Sequence, residues 1–180
     1  TLSSMLTEAN AAAAEVESAA VKRARIAKLS AMVLEAPHKH IGLLGELLTQ
    51  FVGSDACSPN IQRLALLSAA AVLRDIIPAY RIRLPSEKEL KMQVSKEVEL
   101  LREYERKLMD NYEKCLTQLR RWVSSRVEGH RTAAVRGLCA LADKAYDFNF
   151  RDDLIAALVP IANSADATLR KDACAALIQM

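Results

Sequence analysis

The sequence predicts an all-α fold in which stacked helical hairpins are interrupted by one extended segment and one long helix. Three observations lead to this prediction. Alanine and leucine, the strongest helix formers, dominate a chain that is 51% hydrophobic and only 4% aromatic. The 180 residues include only five glycines and five prolines. Apolar residues recur at three- and four-residue steps along most of the chain, as expected for helices that bury one face.

The first helix is predicted over residues 1–36. Its second half carries the apolar side chains that line one face: Ile26, Leu29, Met32 and Val33. Pro37 should end this helix, because proline lacks an N–H and disfavours helical geometry in the residue before it.

A helical hairpin is predicted over residues 40–77. Its first helix has a wide apolar face and ends at the polar break 53–55. Its second helix starts at Ser58 and Pro59, with serine as the candidate N-cap and proline as the first helical residue. Pro78 should end that helix, which leaves two helices joined by a short turn.

Residues 78–85 are predicted to be extended, because a proline stands at each end of the segment. Between the prolines, larger apolar residues alternate with arginines: Tyr80, Arg81, Ile82, Arg83 and Leu84. Such a period of two is typical of an extended chain.

One long helix is predicted over residues 86–126. Ser86 and Glu89 have the spacing of a capping box, and no glycine or proline follows until Gly129. A heptad-like apolar seam runs along it, interrupted by Glu105: Val94, Val98, Leu101, Leu108, Tyr112, Cys115, Leu119 and Trp122. The favoured interpretation is that this seam packs against helices of its own domain. The alternative is an intermolecular coiled coil.

Residues 127–180 are predicted to form further helices similar to a HEAT repeat. An apolar helix containing Pro160 is followed by Asp166 at a turn and then by a helix with Arg170 and small residues. The spacing between comparable positions is close to the HEAT period of about 40–47 residues. The predicted fold class is therefore an all-α, HEAT-like or armadillo-type α-solenoid. We expect residues 1–180 to be a single helical-repeat region and a fragment of a longer protein.

No enzyme activity and no cofactor are expected, because the sequence contains no phosphate-binding loop, nucleophile elbow or zinc-protease motif. His38 and His40 lack a good third metal ligand nearby, which favours surface or capping roles over a metal site. The four cysteines match no zinc-finger spacing and favour buried free thiols in a reducing compartment. No apolar stretch approaches the roughly 20 residues of a membrane span, so no membrane partner is expected.

The candidate functional residues are basic ones. The net charge of +3 is too small to establish nucleic-acid binding, but arginines cluster between residues 114 and 136, where only Glu128 opposes them. The planar guanidinium suits phosphate and RNA contacts. The candidates for partner or RNA binding are Tyr80, Arg81, Arg83, Arg120, Arg121, Arg126, Arg131 and Arg136. An ordinary solvated face with ion pairs inside the domain is the favoured alternative.

The run Asp-Ile-Ile-Pro-Ala-Tyr-Arg-Ile-Arg at residues 75–83 resembles the signature of the nucleolar complex protein 3 family. The resemblance continues through residues 86–89 and 94–98 and is best over about 60–125. Ala79 departs from the family pattern, in which glycine is expected at this position.

The resemblance implies a non-catalytic, HEAT-like scaffold of the nucleolus or nucleus that acts in biogenesis of the large (60S) ribosomal subunit. It also implies a heterodimer with a member of the nucleolar complex protein 2 family, and contact with pre-60S proteins and pre-rRNA. Two alternatives remain open. One is a replication-initiation adaptor on chromatin, and the other is a generic HEAT protein–protein adaptor that binds no nucleic acid.

Overall fold

The computed structural model describes residues 2–127, 129–145 and 147–180, with side chains from Ala19 onward. These residues are helical or irregular, and no strand occurs among them, so the all-α prediction is confirmed. The α-helices, in chain order, are α1 (Leu2–Glu35), α2 (Pro37–Leu47), α3 (Pro59–Ile76), α4 (Glu87–Leu90), α5 (Lys96–Val123), α6 (His130–Ala142), α7 (Arg151–Ala162) and α8 (Ala167–Gln179). The HEAT or armadillo assignment remains a prediction.

The helices α1, α2 and α3 pack against one another at the amino-terminal end of the described core. Ile26, Leu29 and Val33 of α1 are buried, as their spacing predicts. Pro37 both follows the end of α1 and occupies the first turn of α2, so α2 begins three residues earlier than predicted. A π-helical turn over Leu48–Val52 continues α2 to the predicted break.

The helices α3 and α6 run parallel, with the carboxyl-terminal part of α5 packed against both. Gly129, next to α6, lies against Arg63 near the start of α3, and Gly137 lies against Ala70 in the middle of α3. A Cβ atom on Gly137 would lie 2.5 Å from Cδ2 of Leu119 and 3.6 Å from Cβ of Ala70. Because that space is filled, glycine at this position permits the close approach of three helices.

The prediction of one helix over residues 86–126 is wrong. Ser86 and Glu89 do form the predicted capping box, but the helix that they start, α4, has only four residues. The chain then leaves helical geometry, and Ser95 caps a second helix by accepting a hydrogen bond from the Val98 backbone N–H. A serine side chain that accepts a hydrogen bond from a nearby backbone N–H stabilises the start of a helix. Ser86 therefore starts α4, and Ser95 starts α5. α5 ends at Val123.

The carboxyl-terminal helices follow the predicted layout. Gly129 has a φ of 75° and precedes α6, a left-handed conformation that glycine adopts without strain. Asp166 accepts hydrogen bonds from the backbone N–H groups of Thr168 and Leu169, which makes it the N-cap of α8. The helices α7 and α8 pack as a hairpin against α6. Glu128, the acidic residue predicted to oppose the arginines, lies outside the described residues.

An aromatic cluster joins α5 to the loop that precedes α7. Tyr112 is fully buried, with its ring 5.2 Å from that of Phe148 in an edge-to-face contact and 5.7 Å from that of Phe150 in a stacked one. Its hydroxyl is buried and, among the described residues, has no hydrogen-bond partner. Burial also raises the pKa of this phenol above its ordinary value. The ring therefore stabilises the core by packing, whereas the buried, unpaired hydroxyl lowers the free energy of unfolding.

Replacing Tyr112 with phenylalanine is therefore expected to leave the free energy of unfolding unchanged or to raise it by up to about 1 kcal/mol, because the change removes an unsatisfied polar group and keeps the ring. Urea denaturation would measure this difference. Tyr104→Phe, on the same helix and half-buried, is the matched control and should be close to neutral. A loss of more than about 1 kcal/mol in Tyr112→Phe would show that the hydroxyl is hydrogen-bonded in solution.

Candidate binding surface

All eight sequence-predicted site residues are solvent-exposed. They lie in several places: the extended segment, the start of α7, the turn between α7 and α8, the carboxyl-terminal end of α5 and, for Arg136, α6. The arginines of residues 114–136 therefore do not form a single group, and each place has different neighbours.

The extended segment is held to the domain by the backbone of Ile82. Asn149, in the loop between α6 and α7, accepts a hydrogen bond from the Ile82 N–H at 2.9 Å and donates one to the Ile82 carbonyl at 3.0 Å. The Ile82 side chain is buried in the core. The sequence predicts an extended segment here, but nothing local marks its contact with Asn149, which lies 67 positions away from Ile82.

The exposed side chains of the extended segment contact nearby carboxylates. The Tyr80 hydroxyl donates to Oε1 of Glu105 at 3.4 Å, and Nη2 of Arg83 lies 2.9 Å from Oε1 of Glu89. Hydrogen bonds from the backbone and side chain of Ser86, followed by the charge of Arg83, lower the pKa of Glu89. The Arg83 side chain is 81% exposed, so its ion pair is weak and would allow it to contact a phosphate instead.

Arg81 and Arg120 both lie near Asp153 at the start of α7. Nη1 of Arg120 lies 3.0 Å from Oδ1 of Asp153. Arg81 and Asp153 line the same small recess, of about 210 Å³, together with Arg151. A surface pair of this exposure contributes roughly 0–1 kcal/mol. Asp153 is thus a shared neighbour of one arginine of the extended segment and one arginine of α5.

Arg131 contacts the turn between α7 and α8. Its Nη2 donates to the Ser164 hydroxyl at 3.0 Å, while Nη1 of Arg170 donates to the Ser164 carbonyl at 2.6 Å. No carboxylate among the described residues pairs with either guanidinium. Two positive charges are therefore held next to the same serine by neutral acceptors, which leaves their charge available to an anion.

The last three candidates, Arg121, Arg126 and Arg136, form no ion pair within the part of the chain that the structure describes. Arg121 lines a polar recess of about 570 Å³ beside Trp122 and His130. Those two rings stack on each other 3.8 Å apart and are both buried, so neither is free to stack on a nucleobase. Burial and then the charge of Arg63 lower the pKa of His130.

The apolar seam of α5 divides at about Tyr104. From Leu108 to Trp122 its residues are buried against the domain, which confirms the favoured interpretation for this half. Toward the amino terminus, the seam residues Val94, Val98 and Leu101 are exposed. Of the large exposed apolar side chains that the structure describes, more than half lie in this part of the chain: Tyr80, Leu84, Leu90, Met92, Val94, Val98, Leu100 and Leu101. Some of these side chains belong to the predicted seam, but the sequence pattern does not indicate that they are uncovered.

The side chains that the structure describes, in residues 19–127, 129–145 and 147–180, include no group of three or more histidine, cysteine or acidic side chains placed to hold a metal. No described helix is long and apolar enough to cross a membrane. Cys115 is a fully buried free thiol, as predicted, and burial raises its pKa to about 12. Cys57 is also buried, whereas Cys139 and Cys174 are partly exposed.

Together, the stacked helices and the exposed basic and apolar side chains define an all-helical protein whose candidate site is a surface. Residues 21–115 match the family model described as nucleolar complex-associated protein. This match covers more than half of the chain, and the chain belongs to the nucleolar complex-associated protein 3 family. The family is nucleolar, which confirms the predicted localisation in the nucleolus or nucleus.

Named relatives come from plants, animals and yeasts. Nucleolar complex-associated protein 3 of Arabidopsis thaliana is 38% identical over 159 residues, which is 87% of this chain and 18% of the relative. Nucleolar complex protein 3 homolog of Danio rerio is 33% identical over 172 residues, 87% of this chain and 22% of the relative. Nucleolar complex-associated protein 3 of Saccharomyces cerevisiae is 32% identical over 131 residues, which is 69% of this chain and 19% of the relative. The chain thus spans about a fifth of the length of these relatives.

Proposed function

We propose that this chain is part of a non-catalytic assembly factor for the precursor of the large ribosomal subunit. Membership of a nucleolar complex-associated family carries the proposal, since ribosomal subunits are assembled in the nucleolus. In this role the chain presents HEAT-like stacked helices to a nucleolar partner, a member of the nucleolar complex protein 2 family, and its free arginines contact pre-rRNA. The exposed positions of the eight candidate residues support a binding role for this surface.

Affinity purification of the full-length protein would test the assembly role. The expected result is recovery of large-subunit precursors together with a second nucleolar protein, and release of these precursors by ribonuclease. Recovery of chromatin that only deoxyribonuclease releases would favour a replication adaptor instead. Purification without ribosomal precursors or a second nucleolar protein would contradict the proposal.

Direct RNA contact has a separate test. Changing Arg121, Arg126 and Arg136 to glutamine in the full-length protein is expected to weaken binding to a pre-rRNA fragment. The slope of log Kd against log salt concentration should become shallower by about 2–3. Each phosphate contact releases about 0.7–0.9 counterions when it forms, and three such contacts would be lost. Fluorescence anisotropy at several salt concentrations would measure both effects.

The matched control for this test changes three arginines that already pair with carboxylates: Arg25, Arg74 and Arg106. It removes the same charge from other parts of the surface. Equal effects of the two triple variants would show that only net charge matters, and an unchanged salt slope would rule out phosphate contact by the first set.

A further inference from the structure

The amino-terminal half of α5 carries an apolar face that the domain does not cover. Leu101 is one heptad before Leu108 on the same side of the helix, yet Leu101 is 51% exposed and Leu108 is fully buried. Val98, one turn before Leu101, is 39% exposed. The buried half of this seam packs against other helices, namely α2, α3 and α6. The exposed half continues the same face and has the same chemistry.

Two carboxylates flank Leu101 on this face. Glu97 and Glu105 lie four residues before and after it, so the helix places all three on one side. Neither glutamate forms an ion pair among the described residues, and Glu105 accepts only the long hydrogen bond from Tyr80. In contrast, Glu103, on another side of α5, pairs with Lys107 at 2.6 Å. The exposed face is therefore apolar at its centre and negative at both ends.

The extended segment forms a wall along this face. A groove of about 260 Å³ is lined by Pro85, Val98 and Leu101 and by four charged side chains, those of Arg83, Glu89, Arg102 and Glu105. The wall is fixed, because the backbone of Ile82 is anchored in the domain by Asn149. Nη1 of Arg102 also donates to the Glu89 carbonyl at 3.0 Å, which holds α4 against α5.

We propose that this face of α5 binds an amphipathic helix of a partner protein. That helix would carry apolar residues at three- and four-residue spacing, and lysine or arginine residues opposite Glu97 and Glu105. The inference rests on the proposed function in one respect, that the protein works within a complex, and it assigns the surface that a protein partner contacts.

The charge of this face favours a basic helix over two other possible occupants, RNA and a second copy of this chain. Arg83 at the groove is paired with Glu89, whereas Glu97 and Glu105 have no cationic partner among the described residues and would repel a phosphate backbone. A cationic helix therefore suits the face better than RNA does. A second copy of this chain would bring glutamate against glutamate, whether the two α5 helices met in a parallel or an antiparallel arrangement about Leu101. A basic amphipathic helix buries the apolar residues and neutralises both carboxylates.

The test places the photo-crosslinking residue p-benzoylphenylalanine at position 101 of the full-length protein in its native complex. The expected result is a crosslink to a different protein, within a helical segment that carries lysine or arginine three or four residues from the crosslinked position. Changing Glu97 and Glu105 to lysine should lower the crosslink yield at least tenfold. Changing the partner's basic residues to glutamate should restore the yield in that variant.

Glu99→Lys is the matched control, since Glu99 is exposed but lies two residues from Leu101 and so on the opposite side of α5. It should leave the crosslink yield unchanged. Crosslinks to RNA, to a second copy or to another segment of the same protein would overturn the inference. So would the absence of any crosslink, or equal losses in the Glu99→Lys and double variants. If ribosomal precursors still co-purify in those cases, the proposed function stands without this interface.

Discussion

Replacing Leu119 with alanine is expected to lower the free energy of unfolding by about 2–5 kcal/mol. Leu119 is fully buried where α3, α5 and α6 meet, and its methyl group fills the space beside Gly137. The change removes buried apolar surface and leaves a cavity, because three closely packed helices cannot easily move into the space. Urea denaturation followed by circular dichroism would measure the loss from the transition midpoint and slope.

Leu100→Ala is the matched control, because it makes the same chemical change on the same helix at a side chain that is 59% exposed. The expected change is within about 0.5 kcal/mol. Similar losses in both variants would mean that the amino-terminal half of α5 is buried in solution. A small loss in Leu119→Ala would contradict the observed packing of α5 between α3 and α6.

Replacing Asn149 with alanine is expected to release the extended segment and to cost about 1–3 kcal/mol. The side-chain amide forms two hydrogen bonds with the backbone of Ile82. Without it, the Ile82 N–H and the Ile82 carbonyl, which are partly buried, would both lose their partner. The Ile82 amide should then exchange its hydrogen much faster, whereas amides in α6 should be little affected. Hydrogen–deuterium exchange of the unchanged protein and of the variant would show this directly.

Two further variants make the Asn149 prediction specific. Asn149→Asp keeps the acceptor for the Ile82 N–H but places a carboxylate oxygen against the Ile82 carbonyl, so it should also loosen the segment. Asn163→Ala, at an exposed asparagine, should leave exchange at Ile82 unchanged. Protection of Ile82 that survives Asn149→Ala would show that the buried side chain alone holds the segment.

Helix positions could largely be predicted from local chemistry. Pro37, Pro59 and Pro78 mark boundaries because proline restricts the backbone regardless of the rest of the fold. The break before α5 was missed for a physical reason. Ser95 is compatible with a helix interior, and only competition between its side chain and the backbone makes it a cap. Without a glycine or proline at that point, periodicity favoured one continuous helix.

The candidate surface was less predictable than the helices. That arginines and Tyr80 would be exposed follows from their chemistry, but their grouping depends on which loops meet. The Asn149 contact with Ile82 and the pairing of Arg120 with Asp153 both join residues far apart in sequence. The apolar face around Leu101 has the same sequence pattern as the buried part of α5. The sequence therefore could not show at which residue the other helices cease to cover this face.

The parallel arrangement of α3 and α6 has a consequence for synthesis of the chain. Translation completes α3 at Ile76, but the helix that covers its Ala70 face ends only at Ala142. At roughly 5–20 residues per second, the nascent α3 would wait several seconds for its partner. Such long-range pairing slows folding and leaves apolar surface open in the meantime. Until α6 leaves the exit tunnel, the Ala70 face of α3 is therefore an uncovered apolar surface on the emerging chain.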